Sequence, residues 1–292
     1  MRYDITLSIS HDYGVPSAHA RTLVRLLPAN LAGRQNVLSR LLTVEPRPDE
    51  RRDGEDFFGN VMTTLAFHRP IDRVELTLKA RVERLAAPPR LDLSSDLPGL
   101  AAEVAGYRGL EAGGPVHYLG ASPRVAPDAG ISDFARAQIG PGMTVLQVVE
   151  AVGHALHDVL EFDAEATDVH TPPSEAFAQR HGVCQDFSHI MIAGLRALGI
   201  PAGYVSGFLR TLPPPGQPRL EGADAMHAWV SAWCGVEEGW IEFDPTNACA
   251  VRRDHVAVAY GRDYGDVAPV KGVLRTEGPQ TSSQVVDVRP LA

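Results

Sequence analysis

Hydrophobic and polar residues alternate along the first part of the chain. The alternation from Tyr3 to Ile9 is the period-two pattern of a half-buried strand, and residues 72–82 repeat it. Other strand-like segments lie near residues 21–27, 35–44 and 57–68. The charged stretch 46–56 predicts a turn or hairpin loop. Residues 1–85 are therefore predicted to form an all-β N-terminal domain that resembles a small sandwich.

The pattern changes after this region. Residues 86–130 are broken by proline and glycine, so we expect a linker with little regular structure. From about residue 131 the apolar spacing becomes helical. It is clearest over residues 144–160, where Thr144 and Gln147 have the spacing of a capping box.

The stretch GVCQDFSHIMIAGLRALGIPAGYVSGF covers residues 182–208. Its apolar residues from Phe187 to Leu198 recur at helical spacing and form one face, and Gly199 followed by Pro201 predicts the end of that helix. Strand-like segments follow up to the C-terminus. Helices followed by strands predict an α+β core over residues 131–292, with helices against an antiparallel sheet.

Composition narrows the functional classes. The chain has 292 residues and a formal net charge of −9, whereas a nucleic-acid partner would require a basic surface. No apolar run reaches the ~18 residues of a membrane helix, and the N-terminus does not resemble a signal peptide. The three cysteines form no CxxC pair, so neither a disulfide framework nor a zinc site is indicated. We expect a cytoplasmic protein that binds neither nucleic acid nor membrane.

Cys184 is the candidate nucleophile. It lies three residues before Phe187, at the N-terminal end of the buried helix face. A helix N-terminus and a nearby imidazolium both stabilise a thiolate, and together they can lower a thiol pKa to roughly 3.5–7.5. The position of Cys184 predicts the first of these influences, and the second requires a histidine from another part of the chain.

His227 and Asp244 are the candidates for the other two roles. In AMHAWVSAW, alternation places His227 and Trp229 on the same strand face. Asp244 ends the next strand-like run, just before Pro245, and a carboxylate there can orient the imidazole. Trp229 is a candidate wall of the substrate groove. Gln185 is a second candidate substrate contact, although on a helix it points about 100° away from Cys184.

Other reactive residues are interpreted as structural. Cys234 and Cys249 have no matching motif, although a redox role of Cys249 near the site is a weaker alternative. Asp186 is expected to interact with the N-terminus of the Cys184 helix. His154 and His157 have the spacing of a ligand pair, but no third ligand accompanies them, so no metal site is predicted.

Three ordered motifs carry a resemblance to a known family: GVCQDFSHIMIAGLRALGIPAGYVSGF, ADAMHAWVSAW and GWIEFDPTNA. They resemble the transglutaminase-like cysteine enzymes, in the bacterial branch with an N-terminal β-domain. The segment 255–273 is also similar to that branch. The resemblance is strong from about residue 174 to 273 and weak in the first 85 residues.

The resemblance implies a papain-like core with a Cys–His–Asp triad. Carried over, Cys184 is the nucleophile, His227 the general base and then acid, and Asp244 the orienting group. The implied reaction is acyl transfer from a glutamine side-chain or peptide-like amide through a thioester. The backbone N–H of Cys184 is an expected oxyanion donor.

Several alternatives stay open at this stage. Many relatives in the branch are described as cysteine proteases, so a cysteine peptidase or amidase without transferase activity is one rival. A catalytically idle binding scaffold is another. Arylamine acetyltransferases share the triad but not these flanking motifs. The chain lacks the insertions and carboxylate clusters of the calcium-activated animal enzymes, so no cofactor or metal is expected. The expected partner is a protein or peptide substrate, and the oligomeric state cannot be read from the sequence.

Overall fold

A computed structural model describes residues 1–86, 91–211, 222, 224–275 and 278–291. Residues 211–224 are rich in proline and glycine, which predicts a loop leading into the His227 strand, and most of them lie outside the described residues. The described chain forms a seven-stranded sheet, a five-stranded sheet and a layer of helices.

The N-terminal region contributes five strands to the seven-stranded sheet. They are β1 Arg2–Val24, β2 Gln35–Glu45, β3 Glu50–Glu55, β4 Val61–Phe67 and β5 Ile71–Arg84. The long β1 is central, and the strand order is β2-β5-β1-β4-β3. The alternating residues from Tyr3 to Ile9 are buried, as expected for a strand that packs on one face.

The edge strand β3 occupies residues for which a charged turn was predicted, so that prediction was wrong for Glu50–Glu55. All six of its residues are exposed. A charged edge strand needs no apolar face, because backbone pairing with β4 and side-chain bonds from Arg51 to the Leu42 carbonyl and from Thr63 to Asp53 hold it in the sheet. The hydrophobic pattern therefore could not reveal it.

Two C-terminal strands complete the same sheet. These are β13 Val270–Arg275 and β14 Gln280–Leu291, and both pair antiparallel with β1. They come from the range 131–292 that was assigned to the core. Alternation at Val286 and Val288 predicts a strand, but it does not say which sheet the strand joins.

Helices occupy the middle of the chain. They are α1 Leu97–Gly106, α2 Ala129–Arg136, α3 Val145–Val159, α4 Pro173–Gln179, α5 Cys184–Ala197 and the later α6 Tyr264–Val267. A 3₁₀ turn covers Pro115–Tyr118, and a two-residue strand pair joins β6 Glu161–Phe162 to β7 His181–Gly182. The segment 86–130 is thus more regular than predicted, since it contains α1 and the 3₁₀ turn. The sequence shows little sign of α1, because this helix buries only Leu100 and shows little apolar periodicity. The capping box of Thr144 and Gln147 at the start of α3 is confirmed.

The five-stranded sheet follows α5. Its strands are β8 Ala202–Leu209, β9 Ala225–Trp233, β10 Trp240–Asp244, β11 Cys249–Ala250 and β12 His255–Gly261. They are antiparallel in the order β11-β10-β9-β8-β12. Helix α5 packs against β9 and β8. The predicted α+β class with an all-β N-terminal region is confirmed.

Polar side chains join the two sheets. Gln35 donates to the carbonyl oxygens of Ala29 and Ala257, each at 2.7 Å. Asn60 bonds both the N–H and the C=O of Tyr260, each at 2.7 Å. Both side chains are buried, so these bonds fix the N-terminal region against β12. Among the described residues, no helix is long and apolar enough to span a membrane.

Candidate active site

Cys184 is the first residue of α5 and is partly exposed. Asp186, in the same first turn, accepts hydrogen bonds from the N–H of Val183 at 2.9 Å and from Thr167 Oγ1 at 2.6 Å. Burial nevertheless raises the pKa of the Asp186 carboxyl. A Cβ on Gly182 would lie 2.8 Å from the Asp186 side chain, so only glycine leaves room for this turn. Asp186 therefore shapes the N-terminus that presents Cys184.

His227 and Asp244 lie on neighbouring strands and form a hydrogen bond. Strands β9 and β10 are antiparallel with Phe243 opposite Val230. This register brings His227 Nε2 to 2.7 Å from Asp244 Oδ2. The bond at Nε2 leaves Nδ1 as the ring nitrogen that is available to Cys184. The structure thus brings His227 and Asp244 together, and Cys184 is close enough to His227 to hydrogen-bond with it.

The electrostatics of His227 favour its charged form. Burial opposes that form, but hydrogen bonding and charge interaction with Asp244 and Cys184 raise the pKa of His227 to about 10. For Asp244, burial raises the pKa, whereas its hydrogen-bond partners lower it. The hydrogen bonds from His227 and His255 and the charge of His227 hold the Asp244 pKa well below its usual range. At neutral pH the pair is therefore an imidazolium and a carboxylate.

Asp244 is saturated with donors. It is fully buried and accepts five hydrogen bonds: Oδ2 from His227, His255 and the Asn247 side chain, and Oδ1 from the N–H groups of Thr246 and Asn247. Sequence reasoning missed His255 and Asn247. Asn247 stands three residues after Asp244, which fits an Asx-type turn. No local signal places His255 at Asp244, because β12 is separated from β9 by β8.

Trp229 does not wall an open groove. Its side chain is fully buried, and its indole N–H donates to Glu242 Oε2 at 2.7 Å. The ring packs over Gly207, where an added Cβ would come within 2.4 Å of it. Trp229 shares a face with His227, as expected, and the ring centroids lie 6.2 Å apart. It therefore supports the histidine from behind and does not reach substrate.

Gln185 is also buried. Its Nε2 donates to the Val169 carbonyl at 3.5 Å, and only 7% of the residue is exposed. The structure therefore places it in contact with the loop that precedes α4. A direct role in holding substrate stays a prediction.

The remaining candidates lie at the edge of the site or outside it. Cys234 is buried, and Cys249 is partly exposed on β11. Burial and the charge of Asp244 raise the pKa of Cys249, which keeps it a neutral thiol. His154 packs edge-on against Phe243, and His157 bonds the Thr246 carbonyl.

A bound metal ion is usually held by three or more nearby histidine, cysteine or acidic side chains. Among the described residues, His227, Asp244 and His255 form such a group. Their separations of 2.7 and 3.0 Å are those of N–H···O hydrogen bonds, in which a proton lies between the heavy atoms. The geometry defines a hydrogen-bonded network and not a set of metal ligands.

Comparison with known proteins agrees with this fold. Residues 132–245 match the transglutaminase-like superfamily, and residues 3–83 match the bacterial transglutaminase-like N-terminal region. A crystal structure of a "Putative Cysteine Protease from Cytophaga hutchinsonii" superposes with a TM-score of 0.71 at 22% identity, over 100% of this chain and 91% of that chain. The chain belongs to the transglutaminase-like superfamily.

One relative is similar to this chain over its whole length, and another is similar over a shorter segment. "Uncharacterized protein Rv2569c" of Mycobacterium tuberculosis (strain ATCC 25618 / H37Rv) is 33% identical over 297 residues, which cover 99% of this chain and 93% of that protein. A protein-glutamine gamma-glutamyltransferase of Pseudomonas aeruginosa is 40% identical over 78 residues, which are 26% of this chain and 12% of that enzyme.

Proposed function

We propose that this protein is a cysteine-dependent enzyme that transfers or hydrolyses the acyl group of protein or peptide amides through a thioester on Cys184. One observation carries the proposal. His227 lies between the buried Asp244 and Cys184, and its pKa is raised to about 10. A histidine that stays protonated at neutral pH is the partner that stabilises a thiolate.

In the first half of the proposed reaction, the Cys184 thiolate attacks the amide carbonyl carbon. A C–S bond forms, and the carbonyl electrons move to oxygen. The N–H of Cys184 is a free donor at the start of a helix and makes no hydrogen bond within the described part of the chain, so it serves as an oxyanion donor. His227 then protonates the leaving nitrogen as the C–N bond breaks. The products are a thioester and a neutral histidine.

In the second half, water or a primary amine attacks the thioester. His227 accepts a proton from the attacking group, the C–S bond breaks, and sulfur leaves as the thiolate. Water yields an acid, whereas an amine yields a new amide. The chemical groups at the site are the same for both outcomes, so the choice depends on how well the site excludes water.

The relatives support two substrate classes. Identity to the protein-glutamine gamma-glutamyltransferase favours a glutamine side chain as acyl donor. The match to the protein described as a cysteine protease is a likeness of fold, and it keeps peptide hydrolysis as the second candidate. The proposed partner in both cases is a protein or peptide substrate.

The test uses a glutamine-containing peptide, with and without an added primary amine. Ammonia release and the mass of the peptide product are followed for the wild type, Cys184→Ala and the control Cys249→Ala. Ammonia with an amine adduct supports transfer, ammonia without an adduct supports amidase activity, and a cleaved backbone supports peptidase activity. Each activity must vanish in Cys184→Ala and persist in Cys249→Ala. Activity that survives in Cys184→Ala would refute the proposal, and so would a wild type that lacks all three.

A further inference from the structure

His255 contacts the candidate site from an unexpected direction. It is the first residue of β12, which pairs with β8 and not with β9 or β10. Its Nε2 nevertheless lies 3.0 Å from Asp244 Oδ2. The residue is only 5% exposed, and its ring packs edge-on against Trp229 with 5.2 Å between centroids. A buried histidine therefore approaches Asp244 beside His227.

The neighbours of His255 determine which ring nitrogen carries the proton. The N–H of Arg252 points at His255 Nδ1 at 3.5 Å. An N–H is only a donor, so Nδ1 must accept. The proton of a neutral ring is then on Nε2, which donates it to Asp244. Asp244 Oδ2 thus accepts from two histidines, and His227 is the one beside Cys184.

Residues of the N-terminal region hold the turn that carries His255. Arg84 donates to the Arg252 carbonyl at 3.1 Å, and the Tyr3 hydroxyl donates to Asp254 Oδ1 at 2.8 Å. Arg210 also donates to Asp254, at 3.2 Å. Arg84 and Tyr3 belong to β5 and β1. A continuous set of contacts therefore runs from the first sheet through this turn to Asp244.

We propose that His255 is a positioning residue that acts through Asp244 to hold His227 in its reactive orientation. This inference rests on the proposed function. Without His255, Oδ2 of the buried carboxylate keeps only the bonds from His227 and the Asn247 side chain, and Asp244 is then held less firmly in the position that orients His227. His255 makes its hydrogen bond to Asp244, and its ring also packs on Trp229 beside His227, so the test has to separate the hydrogen bond from the packing.

The pH response of this network involves a defined set of groups. Among the described titratable and charged side chains, His227, His255 and Cys249 interact with Asp244, and Cys184 interacts with His227. The turn that carries His255 also contains Arg252 and Asp254 and is contacted by Arg84, Tyr3 and Arg210. Removing the His255 donor favours protonation of Asp244. Once Asp244 is neutral, the His227 imidazolium loses its partner, and the thiolate is then lost at a higher pH than in the wild type.

The test compares His255→Phe, which keeps a packed ring without a donor, with His255→Gln, which keeps a donor. The readout is the rate of Cys184 alkylation by iodoacetamide as a function of pH, located by mass spectrometry, with the fold checked by circular dichroism. We expect Cys184 of His255→Phe to react about tenfold more slowly than that of the wild type at neutral pH. As the pH is lowered, its reactivity should also be lost at a higher pH than in the wild type. His255→Gln should stay within about threefold of the wild type. If His255→Phe does not fold, His255→Asn takes its place because its shorter amide does not reach Asp244.

A folded His255→Phe with the wild-type rate and pH profile would overturn the inference. Equal losses in the Phe and Gln variants would also overturn it, because the effect would then follow packing and not the donor. The two proposals can be separated in the same experiment. If Cys184 of the wild type is no more reactive than Cys249, the proposed function itself fails. If Cys184 is activated and His255→Phe matches it, only the positioning role fails.

Discussion

Strand β10 carries two buried carboxylates, Glu242 and Asp244, whose surroundings differ. Glu242 accepts from Trp229 and Tyr260 and pairs with Arg34. These donors keep their protons across the neutral pH range. Asp244 accepts from two histidines and an asparagine side chain, and one of these histidines, His227, is the group that gives up and regains a proton in the proposed reaction. The comparison indicates that Glu242 joins the N-terminal region to the core, whereas Asp244 contacts the proposed catalytic histidine.

The largest expected effect is the loss of turnover when the proposed nucleophile is removed, compared with the loss when the structural carboxylate Glu242 is changed. Cys184→Ala should lower turnover of an amide substrate about a thousandfold or more, because members of a catalytic unit fail together. Glu242→Gln should stay within a few-fold of the wild type. Steady-state kinetics on the same peptide measure both. Comparable losses in the two variants would mean that Glu242 matters to turnover as much as the proposed nucleophile does.

The next largest effect is expected when each of the two β10 carboxylates is replaced by its amide. Asp244→Asn should fold yet lose about a thousandfold or more in turnover, because an amide no longer selects the reactive histidine tautomer. Glu242→Gln should instead lower the free energy of unfolding by about 1–3 kcal/mol, since a buried charged acceptor is replaced. Urea unfolding and kinetics on both variants check this crossed pattern. An active Asp244→Asn would remove Asp244 from the proposed triad.

A smaller effect is expected in the pH dependence of stability. The pKa of His227 is raised from about 6.5 to about 10 in the folded protein. Its contribution to the free energy of unfolding is therefore complete below about pH 6.5 and is lost as the pH rises toward about 10. The wild type should lose more stability over this range than Asp244→Asn, in which the imidazolium no longer has the Asp244 carboxylate and keeps only Cys184 as a partner. Denaturation curves at the two ends of the range test this, and parallel losses would contradict it.

The smallest effect is expected at Cys249, which lies near Asp244 but away from a helix N-terminus. Burial raises its pKa, so it should react slowly with iodoacetamide at neutral pH. Cys249→Ala should change turnover by less than about twofold, the ordinary range for a site outside the machinery. A larger loss of activity, with normal unfolding, would give this thiol a part in the reaction.

Local sequence patterns predicted the parts of the fold that depend on local periodicity. The helix beginning at Cys184 and the strands carrying His227 and Asp244 follow from apolar spacing and from Gly199 and Pro201. The register that brings His227 to Asp244 was an inference from chain order. The pairing of β13 and β14 with β1 depends on contacts between distant segments, and the exposed edge strand β3 has no apolar face to detect. Neither was accessible to a reading of local pattern.

The candidate site shows the same limit. His255 joins Asp244 across β8, and no spacing in HVAVAYG records this approach. Trp229 was placed on the correct strand face, but Leu31 of the N-terminal region and Gly207 pack against it and bury it. Burial of this kind arises from packing between distant segments. Sequence reasoning thus identified side chains by chemistry, and the structure determined which of them could reach one another.

The most direct test of the account is the pH dependence of iodoacetamide alkylation of each cysteine, measured by mass spectrometry in the wild type and in His227→Ala. The account predicts that Cys184 reacts fastest in the wild type, that it does so well below the pH at which a free thiol ionises, about 8.5, and that this advantage disappears in His227→Ala. A Cys184 that titrates like a free thiol, or that reacts identically in both proteins, would contradict the claim that His227 and Asp244 activate it.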